Sequence, residues 1–230
     1  MNEIIIIIIC LMTSLLLKIG LNVKFKEINK LNKSSDEELK NISTKFPEDK
    51  EICRTLLNKL NSENIKVILN EEYNSCLYTI YNNTITIGKF KENFMKIQTI
   101  SHECIHSCQN QLTLWFNFII SNIYNLYFMV ILILTLFNKI QHTNIYLYIL
   151  VMLGIIQYII RNSLEIDAMT KAPYLAKEYI EEYNILTKKE KERLLKEYNI
   201  VNKIGIPFMN YLLIQKNLIK IILLCVAILI

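Results

Sequence analysis

A chain of 230 residues that is 52% hydrophobic, with four glycines and three prolines, has the length of one compact unit and is too apolar to be disordered. Its net charge of +5 sits on a lysine- and asparagine-rich background, with no dense arginine cluster and no aromatic–basic RNA motif, so no nucleic-acid partner is expected. The six cysteines (Cys10, Cys53, Cys76, Cys104, Cys108 and Cys225) form no C-x-x-C, which excludes a disulfide framework of the small secreted kind.

The apolar residues gather in blocks separated by charged stretches, the pattern of a membrane protein with soluble parts. The first block, Ile4 to Leu21, is broken only by Lys18. No basic residue precedes it and no small-residue cleavage site follows, so residues 1–21 read as a retained transmembrane anchor.

Residues 22–111 form the main polar segment. Ser34-Ser35-Asp36-Glu37-Glu38 looks like a helix start. Ile52, Leu56, Leu57 and Leu60 recur at helical spacing. Ile65 to Leu69 reads as a buried strand, and Leu77–Tyr81 and Thr84–Ile87 flank Asn82-Asn83 as a hairpin. A helix is expected from about Glu92 or Asn93 to beyond Gln109. It sets Cys104 and Cys108 one turn apart, as reduced packing thiols, with a redox pair or an extra metal ligand as alternatives.

Residues 112–160 read as a transmembrane helical hairpin, Leu112–Phe137 and Ile145–Ile160 around a short loop, with Trp115 suited to an interface. Residues 161–203 form a second polar, helical segment, in which Pro173 is expected to open a new helix and Glu178–Tyr198 to be amphipathic. Residues 204–230 are apolar but interrupted by Gln215, Lys216, Asn217 and Lys220. A single span is favoured over an interfacial helix. Lysines crowd the exit of the first span, and Arg161, Lys171 and Lys177 follow the third, so the positive-inside rule puts both polar segments in the cytoplasm.

The chemistry concentrates in Ser101-His102-Glu103-Cys104-Ile105-His106-Ser107-Cys108-Gln109, which contains H-E-x-x-H. Helical residues four apart share a face, so His102 and His106 can bind one Zn²⁺ while Glu103 takes a proton from metal-bound water. With three histidines and 18 glutamates in the chain, chance produces this pattern roughly three times in a thousand, which disfavours coincidence. A catalytic zinc needs a third protein ligand and an open position. His142 lies in the loop across the membrane. Glu165, five residues beyond the third span, stands at about the height of His106 before the second span, counted along antiparallel helices. Asp167 competes, but it projects about 200° away round the helix.

Here a resemblance appears. The bacterial membrane-bound neutral zinc metallopeptidases, compact gluzincins, carry H-E-x-G-H-x-x-Q and a later E-x-x-A with transmembrane helices between. His102, Glu103, His106 and Gln109 match the first motif, and Glu165 and Ala168 the second. Lys171-Ala172 echoes the continuation, and Tyr81–Ile87 looks like the family's hairpin before the active-site helix. The similarity covers roughly residues 75 to 175. Ile105 replaces the usual glycine, and Met169 stands where another gluzincin branch has an aspartate, so the group that hydrogen-bonds and orients a ligand histidine must come from elsewhere.

The resemblance implies an α+β membrane protein: a compact zincin core with a small sheet, fused to three or four transmembrane helices. It implies a zinc-dependent endopeptidase of the bacterial plasma membrane. Its substrates do not follow from the resemblance; peptides or membrane proteins beside the lipid bilayer are expected because the site lies near the membrane surface, and the positive-inside rule sets that site on the cytoplasmic side. Glu103 is the expected catalytic base and His102, His106 and Glu165 the expected metal ligands. Thr84–Ile87 is the expected edge strand for substrate, and Tyr174, Tyr179 and Arg161 are candidates to stabilise the oxyanion. Two rivals remain. One is an intramembrane zinc protease, against which stand the polar neighbours Lys91, Glu92, Lys96 and Gln98, which suggest that the motif helix begins in water. The other is a non-enzymatic membrane protein with a structural zinc, for which Cys104 or Asp167 would supply the fourth ligand.

Overall fold

A computed structural model describes residues 2–28, 36–70, 72–73, 75–89, 93–139 and 141–230. In chain order the elements are α1 (Asn2–Gly20), α2 (Glu37–Thr44), α3 (Asp49–Lys59), β1 (Lys66–Leu69), β2 (Leu77–Thr79), a 3-10 turn (Ile80–Asn82), β3 (Thr84–Ile87), α4 (Lys96–Cys108), α5 (Gln111–Leu136), α6 (Thr143–Glu182) and α7 (Lys188–Leu229). The protein is mostly helical with one small sheet.

Length alone suggests one unit, but the contacts divide the chain into two. One comprises Met1–Lys24, Trp115–Ser163 and Ile206–Ile230, the other Phe25–Leu114 and Leu164–Gly205. The division follows the hydropathy blocks, because segments of such different polarity bury their surfaces against their own kind.

In the first unit, α1, α5 and parts of α6 and α7 belong to four helices long and apolar enough to cross a membrane. They leave many large apolar side chains exposed, among them Ile8, Leu16, Leu126, Met152 and Ile219, which suits helices surrounded by hydrocarbon. Tyr124, Phe128 and Ile131 of α5 pack with Leu147 and Leu150 of α6, Leu224 and Cys225 of α7 and Cys10 of α1. The last apolar block is part of one unbroken helix, with Pro207 inside it.

In the second unit, Asp36 caps α2 by accepting the Leu39 N–H at 3.2 Å, while Ser34 and Ser35 lie outside the described residues. The stripe on α3 is buried at Ile52, Cys53, Leu56 and Leu57. The sheet order is β1-β3-β2, with β1 parallel and β2 antiparallel to β3. The hairpin forms, but its connection is longer than Asn82-Asn83. It uses the 3-10 turn plus Asn83 at φ 49°, a left-handed conformation asparagine tolerates.

Two strand expectations are corrected. Ile65–Leu69 is not a buried strand: Ile65 is buried, but Ile68 and Leu69 are 37% and 47% exposed, because β1 is an edge. Thr84–Ile87 is not an edge: it is central and pairs on both sides, so no incoming chain can bond to it.

Three helix boundaries also differ. α4 begins at Lys96 (Glu92 lies outside the described residues) and stops at Cys108, with Gln109 extended at ψ 167°. Asn110 then caps α5 by accepting the Thr113 N–H at 3.0 Å. Pro173 does not open a helix but sits inside α6. An interior proline costs about 3 kcal/mol. Burial of Ala172, Leu175, Ala176, Tyr179 and Ile180 on either side of it offsets that cost. The chain instead turns between α6 and α7, where Thr187 and Glu190 form a capping box, with the Thr187 N–H donating to Glu190 Oε2 at 2.9 Å and the Glu190 N–H to Thr187 Oγ1 at 3.3 Å.

Gly88, just after β3, has no room for a side chain. A Cβ there would stand 2.6 Å from Ser75 O and 2.7 Å from Ser75 N, and closer still to Tyr73 O. These are backbone atoms that cannot swing aside. Gly88→Ala is expected to destabilise the protein by about 2–4 kcal/mol, read as a lowered denaturation midpoint. An unchanged midpoint would mean that the 73–75 segment packs elsewhere.

Candidate metal centre

α4 carries the H-E-x-x-H segment and is almost entirely buried from Lys96 to Ser107. Its polar upstream residues do not face water as expected. Lys96 is 5% exposed and pairs with Asp49 at 3.3 Å, and Gln98 is also buried. Lys91 and Glu92 lie outside the described residues. The helix is covered by the polar unit's own elements, with α3, β2 and β3 packed on it.

His102 and His106, one turn apart, aim their Nε2 atoms at the same point, 3.0 Å from each other. Glu165, on α6, brings Oε2 to 3.3 Å from His102 Nε2 and 3.7 Å from His106 Nε2. Bonds of about 2.0–2.2 Å in tetrahedral geometry put neighbouring donor atoms about 3.3 Å apart. The three observed separations bracket that value, so the donor set fits a zinc ion. Among the described residues this triad is the group of His, Cys, Asp and Glu side chains whose donor atoms converge within 4.8 Å. His106 and Glu165 are buried and His102 is partly open, which leaves the triad reachable from one side.

The charge balance also suits a cation. Burial pulls the His106 pKa down, but the carboxylates of Glu165 and Glu103 and the Gln109 side chain together outweigh it and leave the pKa raised.

Gln109 supplies what the motif alone left open. Its Nε2 donates to Leu164 O at 2.8 Å and to Asp167 Oδ2 at 2.9 Å. Its amide orientation is thereby set, and Oε1 faces His106 Nδ1 at 2.8 Å. An amide oxygen only accepts, so Nδ1 carries the proton and Nε2 presents its lone pair to the triad. Asp167 is therefore not a competing ligand. It holds Gln109 and pairs with Lys171 at 2.6 Å. The signal for Gln109 was its place three residues after His106, as the last position of the H-E-x-G-H-x-x-Q pattern. Nothing in the sequence paired Gln109 with Asp167. Gln109→Leu is expected to weaken zinc binding about 10–100-fold, measured by chelator competition, while the fold persists. Unchanged affinity would remove Gln109 from the support of His106.

Glu103 is buried, and its Oε2 accepts the Tyr78 N–H of β2 at 2.7 Å. This bond ties the carboxylate to an edge strand. Cys104 points away from the triad, its Sγ 3.8 Å from Cys53 Sγ, and both thiols are fully buried. The Cys53 thiol and burial hold the Cys104 thiol well above its usual range, which suits a packing role. Cys108 is exposed beside Ser62. Of the proposed oxyanion groups, Tyr179 is buried in an aromatic stack with Tyr183 and Phe46, Tyr174 is exposed, and Arg161 and His142 belong to the other unit.

Compared with family models, with curated proteins and with solved structures, the chain matches none of them.

Proposed function

We propose that this protein is a membrane-anchored, zinc-dependent endopeptidase. The observation that carries the reading is the convergence of His102, His106 and Glu165 at separations that suit one tetrahedral ion. Zinc bound there would polarise the scissile carbonyl and lower the pKa of its water to about 7. Glu103, next to His102 in sequence and oriented by Tyr78, takes the proton and returns it to the leaving amine. The outer edge of β2, where the Tyr78 N–H already donates to Glu103, is the place for an extended substrate beside the base, replacing β3 in that role. Among the described residues three donors converge while Cys104 and Asp167 are engaged elsewhere, so a bound ion would keep a position for water, which favours a catalytic over a structural site. The lysine distribution puts the site on the cytoplasmic side, and the hydrophobic helices suggest peptides or membrane proteins as substrates.

The test is zinc content and proteolysis of the full-length protein in detergent, on casein and on a membrane-peptide substrate. About one zinc per chain, with cleavage abolished by a chelator and restored by zinc, supports the reading. A chain that binds no zinc overturns it, and zinc without cleavage of either substrate shifts the assignment to a non-enzymatic zinc protein.

A further inference from the structure

The membrane-helix unit holds a charge that the peptidase reading does not use. Lys220 of α7 donates from Nζ to Asn125 Oδ1 at 2.6 Å and sits 3.8 Å over the Tyr124 ring. One turn earlier, Asn217 donates to Gly154 O at 2.9 Å. Asn125 lies near the middle of α5, fourteen residues after Gln111 and thirteen before Asn138. At about 1.5 Å per residue, the ammonium is about 20 Å from either end of that stretch. A four-carbon stem cannot carry it to the headgroups.

A cation at this depth is costly unless paired. Asn125 and the Tyr124 ring supply dipole and quadrupole, not charge. The chain has no Asp or Glu from residue 104 to 164 or from 198 onward, and Glu3 is the one carboxylate side chain of this unit, in the first turn of α1. A second copy has the same composition, so self-association supplies no acid at this level. Lys220 is only partly buried, and Tyr124, beneath it, has a buried hydroxyl with no hydrogen-bond partner among the described residues.

We propose that Lys220 is the docking point for an aspartate or glutamate carried near the middle of a membrane-spanning helix of another protein. The carboxylate would pair with the ammonium inside the hydrocarbon, where opposite charges attract strongly and few other groups compete. A lipid phosphate has the right charge but stands at the headgroup level. The inference does not depend on the peptidase reading.

The experiment uses full-length protein reconstituted in phosphatidylcholine vesicles with labelled single-span polyleucine peptides that carry Asp, Asn or Leu at the centre. Association is read by energy transfer. The Asp peptide is expected to associate about tenfold more tightly than the Leu peptide, with Asn between. Lys220→Met should remove the preference, and Lys220→Glu should transfer it to a peptide with a central Lys. Equal association of the Asp and Leu peptides with the wild type overturns the proposal whatever the variants do. So does an Asp preference that survives Lys220→Met. Abolition of that preference when phosphatidylglycerol is added would assign the site to lipid phosphate and also overturn it.

Discussion

Glu103→Gln is expected to keep zinc and fold while losing about 10²–10⁴-fold in peptide hydrolysis, the range associated with removing a general base. The substitution isolates chemistry from structure. The glutamine oxygen can still accept the Tyr78 N–H that Glu103 now accepts at 2.7 Å, so β2 should stay in place on α4. Glu103 is not among the three residues whose donor atoms converge, so metal content should stay near the wild-type value. Only the basic carboxylate is lost. The measurement is kcat/KM on the membrane-peptide substrate beside zinc stoichiometry on the same preparation. Full activity in the variant would reject Glu103 as the base. Loss of zinc along with activity would mean that it holds the metal site together.

Glu165→Ala removes the donor that α6 contributes, and with it the one negative charge of the triad. Changes to groups behind a ligand cost about 10–100-fold in metal affinity. Loss of the ligand itself should cost more and leave the purified variant largely free of zinc. Asp167→Ala is the informative control. It lies two residues away on the same helix, but reaches the site only through Gln109, at 2.9 Å. Its expected effect is at the low end of the 10–100-fold range. If Asp167→Ala empties the site and Glu165→Ala does not, the two carboxylates have exchanged roles and the ligand assignment is wrong. Both variants are compared by thermal denaturation, because Glu165 is buried and its removal leaves a cavity in the core.

Local periodicity made a large part of this protein legible. Blocks of apolar residues predicted the four long helices, since hydrocarbon length and helix rise together demand about 20 apolar residues. The four-residue spacing of His102 and His106 put both imidazoles on one face, because 3.6 residues make a turn. Counting residues along two antiparallel helices put Glu165 at the height of His106, and its carboxylate does lie beside that imidazole. These features depend on near neighbours or on lengths, and a one-dimensional string records both.

What failed has a common cause as well. Ile65–Leu69 reads as an apolar run, but whether a strand is central or at an edge depends on which partner lies beside it. Here the parallel pairing of β1 with β3 encloses β3 and leaves β1 and β2 outermost. Pro173 signals a helix start only where no buried face carries the helix through. Lys96 looks solvated until Asp49 and α3 cover it.

The sequence by itself determined the helical blocks, the face shared by His102 and His106, and the level of Glu165 beside them, because helix geometry is local and repeats. Tertiary structure alone decided that β2 is the edge strand beside Glu103, that Asp167 steers Gln109, and that Gln109 sets the His106 tautomer. Those are pairings between residues up to 58 positions apart, and hydrogen-bond geometry across such gaps follows from packing, not from any periodic signal.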